Sequence, residues 1–475
     1  MRLVGIAFVL LISGATPSAF AQQEGHSGQG GLAPSDAGAV SERLTGIDEG
    51  GQAQTGAQDT SAPGMLPLPQ YSGDWISRRY LAGELGGLRS EWAEKGIFFS
   101  VEWYQAGQGV VSGGTRERWA YGTNLDYDLQ IDLMRMGVLP GALLTVRGQS
   151  RFGSTVNGDT GLLLPVNTYS YFPYTDPIGE DVPIAITELN YLQFLTDEIG
   201  VLVGKVTTME NSNEFAGGQG RSQFMNFQFI FPSVFAQVAP YSTLAVGGVW
   251  MPLPRLTLTS LLINTEDAST TTGFSDIGEG TTWWTSLDYQ VDLGGQPGGG
   301  TVGFAYAFDG DFARIGGLNL SAGPGDARER KAESWALYWS AWQYLFTDGE
   351  VPTILEAGDG RQDVEGLGVF AVVGLADADT NPVSWSIAGG LGGRGTLPTR
   401  VDDTWGVGYF YNGLQEPRRR IVGRRLQNSN QGFEAYYNVA LLGSVDLTLD
   451  IQWAKSAFSG IEDSVIPGVR LNVRL

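Results

Sequence analysis

The sequence predicts an all-β fold, a transmembrane antiparallel β-barrel of 16 strands preceded by a short N-terminal helix. Three observations predict it. Apolar and polar residues alternate in recurring runs, most plainly Val469, Leu471, Val473 and Leu475 against Arg470, Asn472 and Arg474. Sixteen such runs can be counted, and the connections between them alternate long and short. No uninterrupted apolar stretch approaches the ~18 residues that a membrane-spanning helix needs.

The chain opens with Arg2, an apolar run from Leu3 to Ile12, and Ala19-Phe20-Ala21. This is the pattern of a secretory signal peptide over residues 1–21, with the mature chain starting at Gln22. Residues 22–72 are expected to form a disordered periplasmic tail, because Gly, Gln, Ala and Ser dominate and little can be buried. Over 73–96, Leu81, Leu85, Leu88 and Trp92 recur at helical spacing, which predicts an amphipathic helix packed at the barrel mouth.

From Ile97 onward the period is two, so the barrel is expected to occupy 97–475. The clearest runs set Val445, Leu447, Leu449, Ile451 and Trp453 against Asp446, Thr448, Asp450 and Gln452, and Leu125, Tyr127, Leu129, Ile131 and Leu133 against Asp126, Asp128, Gln130 and Asp132. Segments begin near Ile97, Thr123, Ala142, Ile184, Gly200, Thr243, Arg255, Thr282, Thr301, Ser334, Gly366, Val383, Thr404, Phe433, Val445 and Ile466. An even count places both ends of the barrel on the periplasmic side, with long connections outside. Phe152 to Pro183, Thr208 to Ser242 and Gly310 to Glu333 fit the long class; Thr196 to Glu198, Pro252 to Pro254 and Leu442 to Ser444 fit the short one. Phe346 to Glu365 is the exception, a long connection on the short side.

Composition narrows the chemistry. There is no Cys and one histidine, His26, so thiolate metal sites, Ser-His catalysis and a multi-histidine zinc site are excluded. No cofactor and no enzymatic activity are expected. The net charge of -22 argues against a nucleic-acid partner. Gly390 to Gly395 spells G-x-G-x-x-G, but Leu397-Pro398 stands where a helix should follow, so a Gly-rich strand or turn is the better reading. Asp377, Asp379 and Asn381 imitate the start of a calcium loop, yet Pro382 and Ala388 occupy the positions of the required Gly and Glu.

Several blocks then resemble one family. They are Gly86-Gly87-Leu88-Arg89 with Lys95-Gly96-Ile97, Tyr121-Gly122 with the Asp126 to Leu133 strand, Glu188 to Leu195 leading into Val203-Gly204-Lys205, Phe224-Met225-Asn226, and Glu434-Ala435-Tyr436-Tyr437 through Gln452 to Val469-Arg470-Leu471. Together they resemble the OprB family of carbohydrate-selective porins, from about Gly73 to Leu475. The resemblance implies a sixteen-stranded barrel in the bacterial outer membrane through which mono- and oligosaccharides diffuse passively, selected at a constriction. It also implies carbohydrate substrates, outer-membrane lipid and the barrel assembly machinery as partners. The alternative within the same fold is a general or anion-selective porin, since 25 of the 29 basic residues are arginines; outside it, a secreted β-sandwich or lectin-like protein.

A sugar site needs flat apolar surfaces and hydrogen-bonding forks. The 208–242 connection supplies Glu210, Asn211, Phe215, Arg221, Phe224 and Asn226 and is a candidate for folding into the lumen. Inward positions of the strands supply Arg147, Glu188, Asn190, Asp288, Gln290, Asp450 and Gln452. Lys205 shares a face with Val201 and Val203 and is the least regular of the charged positions.

Overall fold

A computed structural model of the chain describes residues 64–173, 175, 180–209, 212–318, 328–349, 364–415, 420–421 and 424–475. The expected signal peptide and most of the expected tail lie outside these residues.

Sixteen antiparallel strands close on themselves. They are β1 (Ile97–Val110), β2 (Arg118–Asp132), β3 (Ala142–Gly153), β4 (Val182–Phe194), β5 (Ile199–Thr207), β6 (Ser242–Leu253), β7 (Leu256–Asn264) and β8 (Thr281–Leu293). The second half comprises β9 (Gln296–Phe308), β10 (Ser334–Thr347), β11 (Gly366–Ala376), β12 (Val383–Arg394), β13 (Thr404–Leu414), β14 (Ser429–Leu442), β15 (Val445–Lys455) and β16 (Glu462–Arg474). Each strand pairs with its neighbours in sequence, and β16 returns to β1, with Trp103 opposite Val473. Closure leaves no strand edge unpaired, which is the condition for a sheet to cross lipid.

On the clearest strands the predicted faces are the observed ones, but Lys205 does not share the face of Val201 and Val203: they are exposed outside and Lys205 is buried, past Gly204 with its positive φ. On β15, Leu449 and Ile451 are exposed to the outside, whereas Thr448, Asp450 and Gln452 are buried within. On β16, Val469 points out and Arg470 and Asn472 point in. Trp283 and Trp339 also face outward, while Trp284 and Trp342 face inward and are buried. The alternation slips twice on β4, once between Val182 and Ala185 and once at Thr187: Gly148 and Arg147 oppose Ile186 and Glu188, so Thr187 is an extra residue and both Thr187 and Glu188 turn inward. A β-bulge of this kind re-aims a side chain without breaking the ladder.

The long connection after β10 is a real exception to the loop rule. Ala336 opposes Ala376 and Thr347 opposes Gly366, so β10 and β11 are direct neighbours, and Thr347 and Gly366, between which the long connection runs, stand at the end of the barrel that carries the short turns.

The N-terminal segment differs from expectation in two ways. The expected tail reached 72, but Gly64 to Ser72 are ordered against the barrel, with Met65, Leu66 and Tyr71 buried. A few apolar residues near the tail's end supply a contact that its average composition hides. The helix expected over 73–96 is only α1 (Leu88–Glu94), preceded by turns, because Gly83, Gly86 and Gly87 adopt positive φ. Nor does its leucine and tryptophan face pack inward: Leu85, Leu88 and Trp92 are exposed, and Arg89 and Ala93 are buried. Arg89 lies over the rings of Tyr71 and Tyr80, 4.7 and 4.5 Å from their centroids, and donates to the carbonyls of Phe99 and Leu475 at 3.0 Å. It ties the segment to both strands of the closing seam. Burial, reinforced by Tyr80, pushes the Tyr71 hydroxyl up to about 12.

Candidate functional site

The lumen is shaped by two long outer connections that fold inward. The first covers 154–181 and the second 208–241, and they brace one another where the Thr168 amide donates to the Met225 carbonyl at 2.9 Å.

The second loop is held by paired polar contacts at points around the inner wall. Ser212 donates to Asp288 on β8 at 2.9 Å, and Asn213 to Ser340 on β10 at 3.0 Å. The Glu434 carboxylate on β14 accepts the amides of Met225 and Asn226 at 2.5 and 3.0 Å. The Asn226 side chain donates to Gln452 on β15 at 3.0 Å. Arg470 on β16 donates to the Gly220 carbonyl at 2.7 Å. The buried amides of Met225 and Asn226 thus find an acceptor, as backbone removed from water requires.

Aromatic packing completes the anchorage. Phe215, Phe224 and Phe229 are fully buried against β10 to β14, with Phe224 4.9 Å from the Tyr436 ring and 5.3 Å from Phe370. Glycines on the inner wall make room for them. A Cβ at Gly408 would lie 2.6 Å from Phe229, at Gly392 2.8 Å from Phe215, and at Gly374 2.5 Å from Val234. The Gly390 to Gly395 run is therefore strand wall, as the failed dinucleotide motif suggested, and its Gly392 is a docking surface for a loop aromatic.

The opposite side of the lumen, β1 to β4, carries charge. Arg147 on β3 donates from Nε to Asp128 on β2 at 2.6 Å and from Nη1 to Glu188 on β4 at 3.1 Å. Arg221, from the second loop, donates to Glu102 on β1 at 2.8 Å and lies 3.7 Å from Asp126. Gln149 donates to Asp126 at 2.8 Å and accepts from Tyr241 at 2.6 Å. Thr207 donates to Glu188. Arg221 also stands over the Tyr169 ring, 5.5 Å from its centroid, and Tyr241 stacks on Phe172 at 4.7 Å. The side chains of Arg147 and Asp128 keep 12 and 22 % of their surface open, so this ladder borders water.

The structure thus separates the sequence candidates into two groups. Arg147, Glu188 and Arg221 converge on the charged ladder. Asp288, Phe215, Phe224, Asn226, Asp450 and Gln452 hold the second loop instead, and the two buried rings offer no open face to a ligand. Asn190 lies on the inner face of β4, donating to the Lys205 carbonyl at 3.4 Å, and Gln290 is on β8. Glu210 and Asn211 lie outside the described residues. Sequence reasoning passed over Glu102, Asp126, Tyr169 and Tyr241 as site residues. Glu102 and Asp126 could have been found, because both sit on inward positions of well-defined strands; Tyr169 and Tyr241 could not, because loop residues carry no periodicity.

Two further charged positions prove structural. The Lys205 ammonium donates to the carbonyls of Ile186, Ala268 and Thr271 at 2.6, 2.6 and 2.8 Å. Its face is covered by the 265–280 connection. In the calcium-loop look-alike, Asp377 accepts from Lys331 at 2.6 Å and Asn381 donates to the Val234 carbonyl at 2.6 Å. The hydrogen bond from Arg314 holds Asp379 below the usual carboxylate range.

A closed sixteen-stranded barrel with an apolar outer belt and inward-folded loops defines the class: an outer-membrane porin. The sequence profile described as "Carbohydrate-selective porin, OprB family" matches residues 116–475, and the chain belongs to that family, an outer-membrane porin for carbohydrates. Among solved structures, the chain is similar to the high-pH structure of Pseudomonas putida OprB, with a TM-score of 0.71 and 18% identity over 85% of this chain and 100% of that one. The low-pH structure of the same protein aligns with a TM-score of 0.53 and 15% identity over 84% of this chain and 99% of that one. No curated protein matches in sequence.

Proposed function

We propose that sugar is selected at the inner wall of β1 to β4, where Arg147 and Arg221 interleave with Glu102, Asp126, Asp128 and Glu188 beside Tyr169 and Tyr241. The observation that carries this reading is the partial exposure of Arg147, Asp128, Arg221 and Glu102 on one stretch of the inner wall. A sugar hydroxyl both donates and accepts, so alternating guanidinium and carboxylate groups suit it, and a neighbouring ring suits its apolar face. Partial water access keeps binding weak enough to release, which conduction requires. Asp288, Phe215, Phe224, Asn226, Asp450 and Gln452 act at one remove by fixing how far the second loop narrows the lumen.

The same reading makes the chain a channel without catalysis, with its apolar outer belt in lipid and its assembly dependent on the barrel machinery. Residues 1–21 are removed on export, so intact mass of the purified protein should correspond to a chain starting at Gln22. Single-channel recording in planar bilayers with glucose and a linear glucose oligomer tests the selectivity site. Current interruptions that saturate with sugar support it. Current indifferent to every sugar tried would overturn it.

A further inference from the structure

Porin lumens are polar, yet on β1 and β3 to β6 the lower inner wall of this barrel is apolar. Phe98 on β1, Leu143 on β3, Leu192 on β4, Leu202 on β5 and Val249 on β6 all occupy inward positions near the short-turn end and are buried. They form one apolar cluster with Met65 and Leu66. These two residues are 0 and 1% exposed, so they are enclosed on every side and do not merely lie along a wet wall.

The backbone of the same two residues is gripped. The Asp132 carboxylate, at the periplasmic end of β2, accepts the amide of Met65 at 2.6 Å and that of Leu66 at 3.0 Å. It also accepts the Arg135 amide at 2.9 Å, and the Arg135 guanidinium donates to the Leu66 carbonyl at 2.6 Å. Gly64 passes so near this pair that a Cβ there would lie 2.5 Å from the guanidinium. The turn between β2 and β3 therefore recognises a peptide backbone through a carboxylate and a guanidinium, while the wall above it takes the side chains.

We propose that Gly64 to Ser72 is an exit strap, a segment of the chain that seats in the periplasmic end of the lumen on the Asp132 and Arg135 latch and sets the width of the exit. Two unlike observations meet here. An apolar inner wall would be unfavourable in a water-filled exit and is satisfied only by an apolar occupant. The latch contacts backbone amides and a carbonyl, groups that any displaced strap would leave unpaired in the barrel interior. Selection at the charged ladder and release at the strap are then separate steps along one path.

The absence of cysteine permits a direct test. Cysteine is placed at Leu66, or at the exposed Leu85 as reference, in the full chain inserted in liposomes. A thiol reagent should label Leu66→Cys at least about tenfold more slowly than Leu85→Cys, since labelling requires the strap to open. Adding Asp132→Ala should bring the two rates together. Conductance in planar bilayers should rise in Asp132→Ala and equally in Met65→Asp with Leu66→Asp, a variant that leaves the barrel turn intact should Asp132→Ala fail to assemble. Equal labelling of Leu66→Cys and Leu85→Cys would overturn the seating. Faster labelling of a released strap with unchanged conductance would overturn its role at the exit.

Discussion

Arg147 is bound to Asp128 across the β2–β3 ladder at 2.6 Å, and its Nη1 reaches Glu188 at 3.1 Å on the next strand. One guanidinium therefore bridges two carboxylates on a wall that borders water. Glu188 is available to it because the bulge at Thr187 turns both residues inward.

Arg147→Ala should weaken sugar block about tenfold, the equivalent of one charge-assisted hydrogen bond. It should also shift the reversal potential under a salt gradient toward cation selectivity, because Glu102, Asp126, Asp128 and Glu188 remain. Arg147→Lys should restore the potential but not the sugar block, since an ammonium lacks the planar fork. Sugar titration of the current measures the first effect; a salt-gradient recording measures the second.

Glu434→Ala would leave the amides of Met225 and Asn226 without an acceptor in the barrel interior, at about 1–3 kcal/mol each. The second inner loop should loosen while the barrel persists. Conductance should increase and become noisier, and the band that migrates as folded barrel should survive to a lower temperature than in the parent. A quiet, parental channel would show that the loop does not depend on this carboxylate.

Gly408→Val would drive its side chain into Phe229 and cost about 1–3 kcal/mol through overpacking. Gly107→Ala, where no atom lies within 4 Å of the new Cβ, is the matched control and should be neutral. Thermal unfolding of the two variants in detergent decides the point.

Acid should weaken the turn between β12 and β13. Burial would raise the Asp403 carboxyl, but hydrogen bonds from Arg400, Tyr437 and the Ala440 amide outweigh it and hold it below the usual carboxylate range. A carboxylate depressed in the folded state contributes stability that is present above its unfolded value, about 3.9, and lost as pH falls through the folded value. Unfolding followed from pH 7 downward should therefore show a loss below about 4 that is smaller in Asp403→Asn.

The strands were legible because their physics is local. A residue on one face meets lipid and its neighbour meets the lumen, so a period of two is written into runs such as Val445 to Trp453. Asp377 and Gly392 show the limit: each lay in a motif that sequence could decline but not reassign. Their roles, to pair with Lys331 and to admit Phe215, depend on residues far away in the chain.

The barrel and its membrane faces were thus legible in the sequence through alternation and segment count, and its carbohydrate-porin family through the residue blocks that resemble that family. Only tertiary structure decided which polar residues face a passing sugar and which hold a loop. Asp450 and Asp128 occupy equivalent inward positions on clean strands, yet one is sealed beneath the second loop and the other borders water. That difference comes from where 154–181, 208–241 and Gly64 to Ser72 fold back into the lumen. Those contacts join groups hundreds of residues apart and leave no periodic trace in either partner.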